Sequence, residues 1–277
     1  MQLRNQKSTE VQPSEPWQIE MFQRSIKKQQ KLEALLELLG DVTTEQCLLV
    51  TCGDNNGALN WYFRKHGGLW TWADVSGENN EQISTLLNEP VHSISDHSFP
   101  FPDEVFDCVV SIDVLEHLDQ DQPFLGELKR VLKEGGKAVI TVPNGDSRLL
   151  ANRIKWKMGM TPQIYGHTRS GYTLDELAAT VRQAGLHPTG SGGYSRFFTE
   201  MVELAINFGY VKILSKKQGG AKLGQIAPLS AGELNKHGMA YRLYAIAFPF
   251  ARAFSRMDVF LSKKTDNAVI VLAEKRG

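Results

Sequence analysis

Short apolar runs and helical stretches alternate along most of this chain, and the alternation limits the folds it can adopt. Cys47–Cys52 and Phe106–Ile112 are the clearest strands, since nearly unbroken apolar runs are typical of strands covered on both faces. Weaker runs add strands at Leu69–Val75, Val91–Ser95, Lys137–Val142 and Asn267–Ala273. Helical periods separate several of these strands, at 58–65, 80–88 and 122–132. The pattern predicts a parallel, doubly wound sheet with helices on both faces.

The ends of the chain depart from this pattern and suggest a division into segments. The predicted segments are a polar flexible tail (1–14), an N-terminal helix (15–45), the α/β domain (46–194 and 263–277) and a helical lid or insertion (195–262). The insertion contains two long apolar helices, around 198–214 and 239–256. Before it, Thr173 and Glu176 form the capping box of another helix, which Gly185 terminates.

Composition narrows the class of protein further. The 277 residues carry 31 Lys and Arg against 31 Asp and Glu, so the surplus of cations that favours nucleic-acid binding is missing. The three cysteines form no C-x-x-C pair, which argues against a disulfide framework or a structural zinc site. The first residues show no secretory signal, and the apolar stretch Leu243–Ala251 is too short to span a bilayer. We therefore expect a cytoplasmic protein.

The turn after the first strand and the acid that ends the second indicate a nucleoside-type ligand. The turn spans Gly53 to Gly57, and Asp74 follows Gly53 by 21 positions, where a carboxylate can accept hydrogen bonds from both ribose hydroxyls. NAD is the alternative ligand. It fits less well, because Thr51 and Asn55 interrupt the G-x-G-x-x-G pattern and the chain contains no Tyr-x-x-x-Lys.

The segment from Asp96 to Asn144 carries the most specific motifs. They are Pro100-Phe101-Pro102, Phe106-Asp107, Leu115-Glu116-His117, Arg130-Val131-Leu132-Lys133 and Gly135-Gly136. In this order they resemble the central segment of the class I S-adenosylmethionine-dependent methyltransferases of the type 11 kind. The resemblance covers about residues 46–185 and the last strand, and it implies a Rossmann-like, mostly parallel seven-stranded sheet with S-adenosylmethionine as the cofactor.

Carried onto this sequence, the resemblance implies a set of cofactor-binding residues. They are Thr51, Cys52 and Gly53 for the methionine part, Asp74 with Val75 for the ribose, Asp96 with His97 for the adenine, and Ser111, Ile112 and Asp113 for the far side of the pocket. The first loop departs from the family pattern, because Leu49 replaces the usual acid and Thr51 replaces the first glycine. The side chain at position 51 narrows the approach of a ligand to the backbone.

Two histidines, His117 and His167, are the candidate catalytic residues. If the acceptor is a hydroxyl or an amine, a base must remove its proton, and both histidines follow strands that end at the same rim. We assign no metal ion, but one alternative stays open. Asp113, Glu116 and His117 share a face if a helix begins at Asp113, and with His167 they offer the ligands of a divalent cation, resembling some O-methyltransferases.

The predicted function is methyl transfer from S-adenosylmethionine, to an oxygen of a small-molecule, glycan or lipid-linked acceptor. Two alternatives remain: a non-catalytic membrane-associated relative of the fold, and an NAD(P)-dependent oxidoreductase. The insertion contains large apolar residues together with Arg242, Arg252 and Arg256. The sequence leaves three roles open for the insertion: a lid, a homodimer interface, or a peripheral contact with the inner face of a membrane. No nucleic-acid partner is expected.

Overall fold

The computed structural model describes residues 15–53, 55–209 and 238–277, with backbone alone for 238–244. The predicted tail at 1–14 and the connection between the two C-terminal helices lie outside the described residues. Seven strands form one sheet: β1 (Gln46–Thr51), β2 (Leu69–Asp74), β3 (Val91–Ser93), β4 (Phe106–Ile112), β5 (Leu132–Pro143), β6 (Leu186–Tyr194) and β7 (Ala268–Lys275). The domain boundaries that we expect remain a prediction.

The strands lie in the order β3-β2-β1-β4-β5-β7-β6. The first five are parallel, and β7 runs antiparallel to both β5 and β6. This confirms the Rossmann-like, mostly parallel, seven-stranded fold. The strand order reverses between β1 and β4, which are neighbours in space but not in sequence. In doubly wound sheets, ligands bind at the carboxyl ends of the strands beside such a reversal.

The helices cover both faces of the sheet. They are α1 (Trp17–Gln23), α2 (Ile26–Leu39), α3 (Ala58–His66), α4 (Asn80–Leu87), α5 (Asp121–Val131), α6 (Leu150–Lys157), α7 (Leu174–Gln183), α8 (Phe197–Gly209) and α9 (Gly238–Ser255). One core cluster packs α1 to α4 on the sheet, and a second packs α5 and α7 on the other face. None of the helices in the described part is long and apolar enough to cross a membrane.

The N-terminal helix differs from the sequence prediction, because two helices replace the single one expected. The chain leaves α1 after Gln23, and Ser25 adopts an extended conformation in which its hydroxyl accepts from the N–H of Lys28. A serine that can satisfy an unpaired N–H begins a new helix, so the N-cap ends one helix and starts the next. The Leu35 side chain of α2 is completely buried in the core.

Three further boundaries differ for local reasons. No helix begins at Asp113; a single 3₁₀ turn, Leu115–His117, follows β4 instead. The strand β5 begins directly after α5, so Gly135 and Gly136 lie inside the strand span rather than ending the helix. The edge strand β6 contains Pro188 and several glycines, which weaken the strand signal but are tolerated at an edge.

Candidate active site

A small pocket lies at the carboxyl ends of β1 and β4. Its lining residues are Lys28, Lys31, Thr51, Asn55, Asn56, Ala58, Leu59 and Ile112. They come from α2, from the loop after β1 with the start of α3, and from the end of β4. The pocket has a volume of about 20 Å³, enough for roughly one water. A nucleoside therefore enters only if side chains at this edge move.

Side-chain amides hold the loop after β1. The Nδ2 of Asn55 donates to Asn60 Oδ1 at 2.7 Å and to Thr51 Oγ1 at 3.3 Å. The Oδ1 of Asn55 accepts from the N–H of Gly57, and Asn56 Oδ1 accepts from the first N–H of α3. Asn55 is one of the two residues that interrupt the glycine pattern in the sequence. Because the network is buried, Thr51, Asn55 and Asn56 are held in place before any ligand binds.

Asp74 ends β2 beside this loop, and its side chain is completely buried. Its Oδ2 accepts from the Thr51 hydroxyl at 2.7 Å. Its Oδ1 accepts from the N–H groups of Ser76 and Gly77, at 3.0 and 2.8 Å, and from the Ser76 hydroxyl at 2.8 Å. A carboxylate offers about four lone pairs. A ribose hydroxyl that binds Asp74 most readily does so by replacing the Thr51 donor.

Lysines of α2 close the pocket from the other side. Lys28 and Lys31 line it, and the Lys31 ammonium forms an ion pair with Asp113 Oδ2. Both side chains of this pair are largely buried, at 11% and 14% exposure. An ammonium here favours a ligand with a carboxylate, because a cation that is partly withdrawn from water interacts strongly with an anion.

A second charge cluster lies one turn earlier on α2. Lys27 pairs with the fully buried Glu200 of α8 at 2.7 Å, and Lys155 of α6 binds the other oxygen of the same carboxylate. Burial alone would raise the pKa of Glu200, but the two ammonium groups lower it to about 2. Burial lowers the pKa of Lys155 more than Glu200 raises it. The cluster joins α2, α6 and α8 beside the pocket.

The end of β4 combines backbone strain with an unsatisfied hydroxyl. Asp113 has a φ of +49°, a left-handed conformation that is uncommon for a residue with a Cβ, and its N–H donates to Thr141 O at 3.0 Å. Ser111 is fully buried, and within the described residues its hydroxyl has no hydrogen-bond partner. Such features are concentrated at binding and catalytic sites.

His117 and His167 contact each other where the turn after β4 meets the loop after α6. Their ring centroids lie 4.7 Å apart, and the rings are nearly perpendicular. The Nδ1 of His117 lies 3.2 Å from the carbonyl oxygen of Gly166. Because a carbonyl only accepts, Nδ1 carries a proton, and in the neutral ring Nε2 keeps its lone pair. Burial, followed by the neighbouring His117, lowers the pKa of His167 to about 4.

Glu116 lies beside this histidine pair and is completely buried. One ligand atom from each of Glu116, His117 and His167 lies within 4.8 Å of the others. A carboxylate with two imidazoles is a donor set that binds divalent metals. The sequence left open a divalent-cation site that also included Asp113, but the Asp113 carboxylate pairs with Lys31 instead. The structure thus brings together three of the four side chains of that site.

The remaining predicted cofactor residues lie around the same edge, but not all of them line the pocket. Cys52 and Gly53 belong to the loop after β1, and the N–H of Val75 donates to Thr51 O at 2.9 Å. Asp96 instead pairs with the exposed His97 in the turn after β3. Neither Asp74 nor Asp96 is among the residues that line the small pocket. The role of each of these residues stays a prediction.

Sequence reasoning missed the lysines of α2 and the acid of α8. We assigned no role to the charged residues at these positions. A usable signal existed, because Lys31 precedes Leu35 by four residues, which puts it on the buried side of the helix. Glu200 likewise precedes the buried Leu204 by four residues. A charged residue on the buried side of a helix needs an oppositely charged partner, but the helical pattern does not indicate which residue that partner is.

Comparison with known proteins gives the class. Residues 48–140 match the model of a family described as methyltransferase domain. The demethylmenaquinone methyltransferase of Tropheryma whipplei is 27% identical over 175 residues, which cover 56% of this chain and 72% of that protein. The ubiquinone biosynthesis O-methyltransferase of Cereibacter sphaeroides is 30% identical over 93 residues, covering 32% and 38%.

A solved structure shares the fold. Phosphoethanolamine N-methyltransferase 2 of Haemonchus contortus, in complex with S-adenosyl-L-methionine, superposes with a TM-score of 0.52 at 15% identity, covering 90% of this chain and 53% of that one. The sheet order, the edge of the sheet that holds the pocket and the family-model match over residues 48–140 agree with a class I methyltransferase. The comparisons thus support an S-adenosylmethionine-dependent methyltransferase of class I, an enzyme with S-adenosylmethionine as its cofactor.

The residues at the pocket fit this cofactor chemically. Lysine ammoniums stand where a carboxylate can bind, Asp74 offers an acceptor for ribose hydroxyls, and Ser111 has an unsatisfied hydroxyl. The fit requires rearrangement, because the Asp74 side chain is completely buried and the Lys31 ammonium already pairs with Asp113. Thr51 and the pair of Lys31 with Asp113 distinguish this site from a loop lined by glycines.

Proposed function

We propose that the protein methylates a hydroxyl oxygen of a small-molecule or lipid-linked acceptor. The observation that carries this proposal is the contact between His117 and His167 at the end of β4. An oxygen acceptor must lose its proton during transfer, and an imidazole beside the hydroxyl can take it. The relatives' names support the acceptor class, since both act in quinone methylation or biosynthesis and one is called an O-methyltransferase. Cytoplasmic placement is part of the proposal.

His117 is the proposed base. Because its Nδ1–H donates to Gly166, the Nε2 lone pair is the atom that takes the hydroxyl proton. The same carbonyl stays hydrogen bonded to Nδ1 and so stabilises the imidazolium that forms. His167, whose pKa of about 4 keeps it neutral, accepts a hydrogen bond from the acceptor or donates one to it, and thereby orients the hydroxyl.

Binding of the cofactor supplies an activated methyl group on a sulfonium, so the residues around it chiefly align donor and acceptor. We assign the methionine carboxylate to Lys28 and Lys31, above the loop of Thr51, Cys52 and Gly53. The ribose is assigned to Asp74 with Val75 beside it. The predicted adenine contacts are Asp96 and His97, and the far wall is Ser111, Ile112 and Asp113.

The test is a kinetic comparison of histidine variants. Methyl transfer from labelled S-adenosylmethionine is followed with a short-chain prenylated catechol as the oxygen acceptor. His117→Ala should lower kcat about 10²-fold with a nearly unchanged KM for the catechol, since general-base catalysis contributes roughly this much. His167→Gln should raise that KM several-fold and change kcat less.

His187→Ala is the matched control, because His187 is exposed on β6 away from the pocket. Its kinetics should equal those of the native enzyme. A short-chain demethylmenaquinone analogue tests the competing carbon acceptor. If mass spectrometry finds the methyl group only on the ring carbon of that analogue, and none on the catechol oxygen, oxygen transfer is wrong.

The same side chains support a second candidate mechanism. A divalent cation held by Glu116, His117 and His167 would lower the pKa of the acceptor hydroxyl directly. In that case, dialysis against EDTA abolishes transfer to the catechol, added Mg²⁺ or Zn²⁺ restores it, and Glu116→Gln is inactive. A rate that responds neither to chelator nor to Glu116→Gln rejects the metal and leaves His117 as the base.

A further inference from the structure

An exposed apolar surface lies at the C-terminal end of the chain. It consists of Ile246, Phe250, Phe254, Met257, Val259 and Phe260. The first three are spaced four residues apart on one side of α9, whereas Ser255, on the opposite side, is buried. Phe250 and Phe260 are 77% and 84% exposed. We refer to these six residues as the apolar surface.

Cations flank the apolar surface within the described range 245–264. Between positions 245 and 264 the exposed charged residues are Arg252, Arg256, Lys263 and Lys264. Asp258 is the one acid in this range, and it is buried. Its carboxylate accepts from the backbone N–H groups of Phe198 and Thr199 at the start of α8, so it points toward the protein.

We propose that the apolar surface docks the protein on an anionic lipid bilayer. Monomeric proteins rarely expose so many adjacent large apolar side chains without a partner. Phenylalanines on the outward side of a helix with cations beside them match the boundary between acyl chains and anionic headgroups. A two-fold contact with a second copy would bring this cationic patch against itself, and like charges disfavour such a contact.

Side-chain contacts connect the apolar surface to the candidate active site. The Phe254 ring of α9 contacts the Phe198 ring of α8 edge to face, with centroids 5.1 Å apart. Two residues further along α8, Glu200 pairs with Lys27, which precedes the pocket-lining residues Lys28 and Lys31 on α2. A bilayer under α9 thus brings apolar acceptors to the side of the molecule that these contacts link to the pocket. This link rests on the proposed function, whereas docking itself does not.

The experiment is co-sedimentation of the full chain with lipid vesicles, without cofactor or acceptor. Vesicles of phosphatidylcholine alone are compared with vesicles that contain phosphatidylglycerol at about one third. We expect binding to the anionic vesicles at least tenfold stronger than to the neutral ones, and weaker binding at high salt, because surface charges are screened. Phe250→Ser with Phe260→Ser should reduce anionic-vesicle binding at least tenfold. Arg252→Gln with Arg256→Gln should remove most of the preference for anionic lipid.

The matched control is Leu69→Ser with Leu150→Ser, which replaces two exposed leucines outside the apolar surface. It should bind vesicles like the native chain, and circular dichroism checks that every variant is folded.

Two results would overturn the proposal. One is native protein that stays in the supernatant with both kinds of vesicle. The other is a dimer, seen by sedimentation velocity, that the Phe250→Ser, Phe260→Ser variant loses. The Phe250→Ser, Phe260→Ser variant should still methylate a water-soluble catechol. Vesicle binding therefore tests the docking proposal, and catechol methylation tests the proposed function independently of it.

Discussion

Thr51 is the residue that changes this site most relative to the pattern it resembles. A glycine at this position leaves the acid at the end of β2 open to a ribose, whereas the Thr51 hydroxyl donates to Asp74 at 2.7 Å. The hydroxyl acts as an internal substitute for one ribose hydroxyl. Breaking this bond is part of the free energy of cofactor binding, and a hydrogen bond to a charged group contributes about 1.5–3 kcal/mol.

The corresponding prediction concerns Thr51→Ala. This variant should bind S-adenosylhomocysteine about fivefold more tightly, because the ribose no longer competes with a threonine hydroxyl for Asp74. Isothermal titration calorimetry measures the affinity. Thr51→Ser, which keeps the hydroxyl, is the control and should resemble the native chain. Weaker binding by Thr51→Ala would show instead that the hydroxyl itself holds the ligand.

The helix α8 contributes one completely buried carboxylate, Glu200, that pairs with two other helices. Glu200 joins Lys27 of α2 and Lys155 of α6, and it also accepts from the Ser195 hydroxyl. The pKa of Glu200 is lowered from 4.5 to about 2 in the folded state. A lowered pKa means that the ionised carboxylate stabilises the fold above pH 4.5, and that this contribution is lost as the pH falls toward 2.

Glu200→Gln tests this linkage. At pH 7 its free energy of unfolding should be about 3 kcal/mol lower than that of the native chain, because two partly buried ammoniums lose the charge of their fully buried partner. The difference should shrink below pH 4.5 and be nearly absent by pH 2. Urea denaturation at pH 7, 5 and 3 measures it. Glu134→Gln, at a half-exposed site near Lys275, should cost less than 1 kcal/mol at every pH. A difference for Glu200→Gln that is the same at pH 7 and pH 3 would contradict the linkage.

The elements that the sequence predicts well are those whose signal is local. The strand β4 is a buried apolar run, and the helix α7 begins with a Thr173 and Glu176 capping box that is present as expected. The break between α1 and α2 was missed, because the apolar period continues through it and Ser25 alone marks the N-cap. The helical start at Asp113 failed because that residue adopts a left-handed conformation, which spacing alone does not reveal.

For the molecule as a whole, the sequence predicts the fold class, but not the contacts that close the candidate site. The motifs between Asp96 and Asn144 identify the class, since they combine turn, strand and helix signals in one order. Pairing of Lys31 with Asp113 links positions 82 residues apart, and pairing of Lys27 with Glu200 links still more distant ones. Such pairs depend on how the helices pack, and a one-dimensional pattern carries little information about that packing.

The central claim, that the pocket beside Asp74 binds S-adenosylmethionine, has a direct measurement. Calorimetric titration of the folded chain compares S-adenosylmethionine, S-adenosylhomocysteine and NAD, with Asp74→Asn as the variant. We predict that both sulfur ligands bind, that NAD does not, and that Asp74→Asn weakens binding at least tenfold, which corresponds to about 1.4 kcal/mol. Tight binding of NAD, or unchanged affinity of the variant for S-adenosylhomocysteine, would contradict the account.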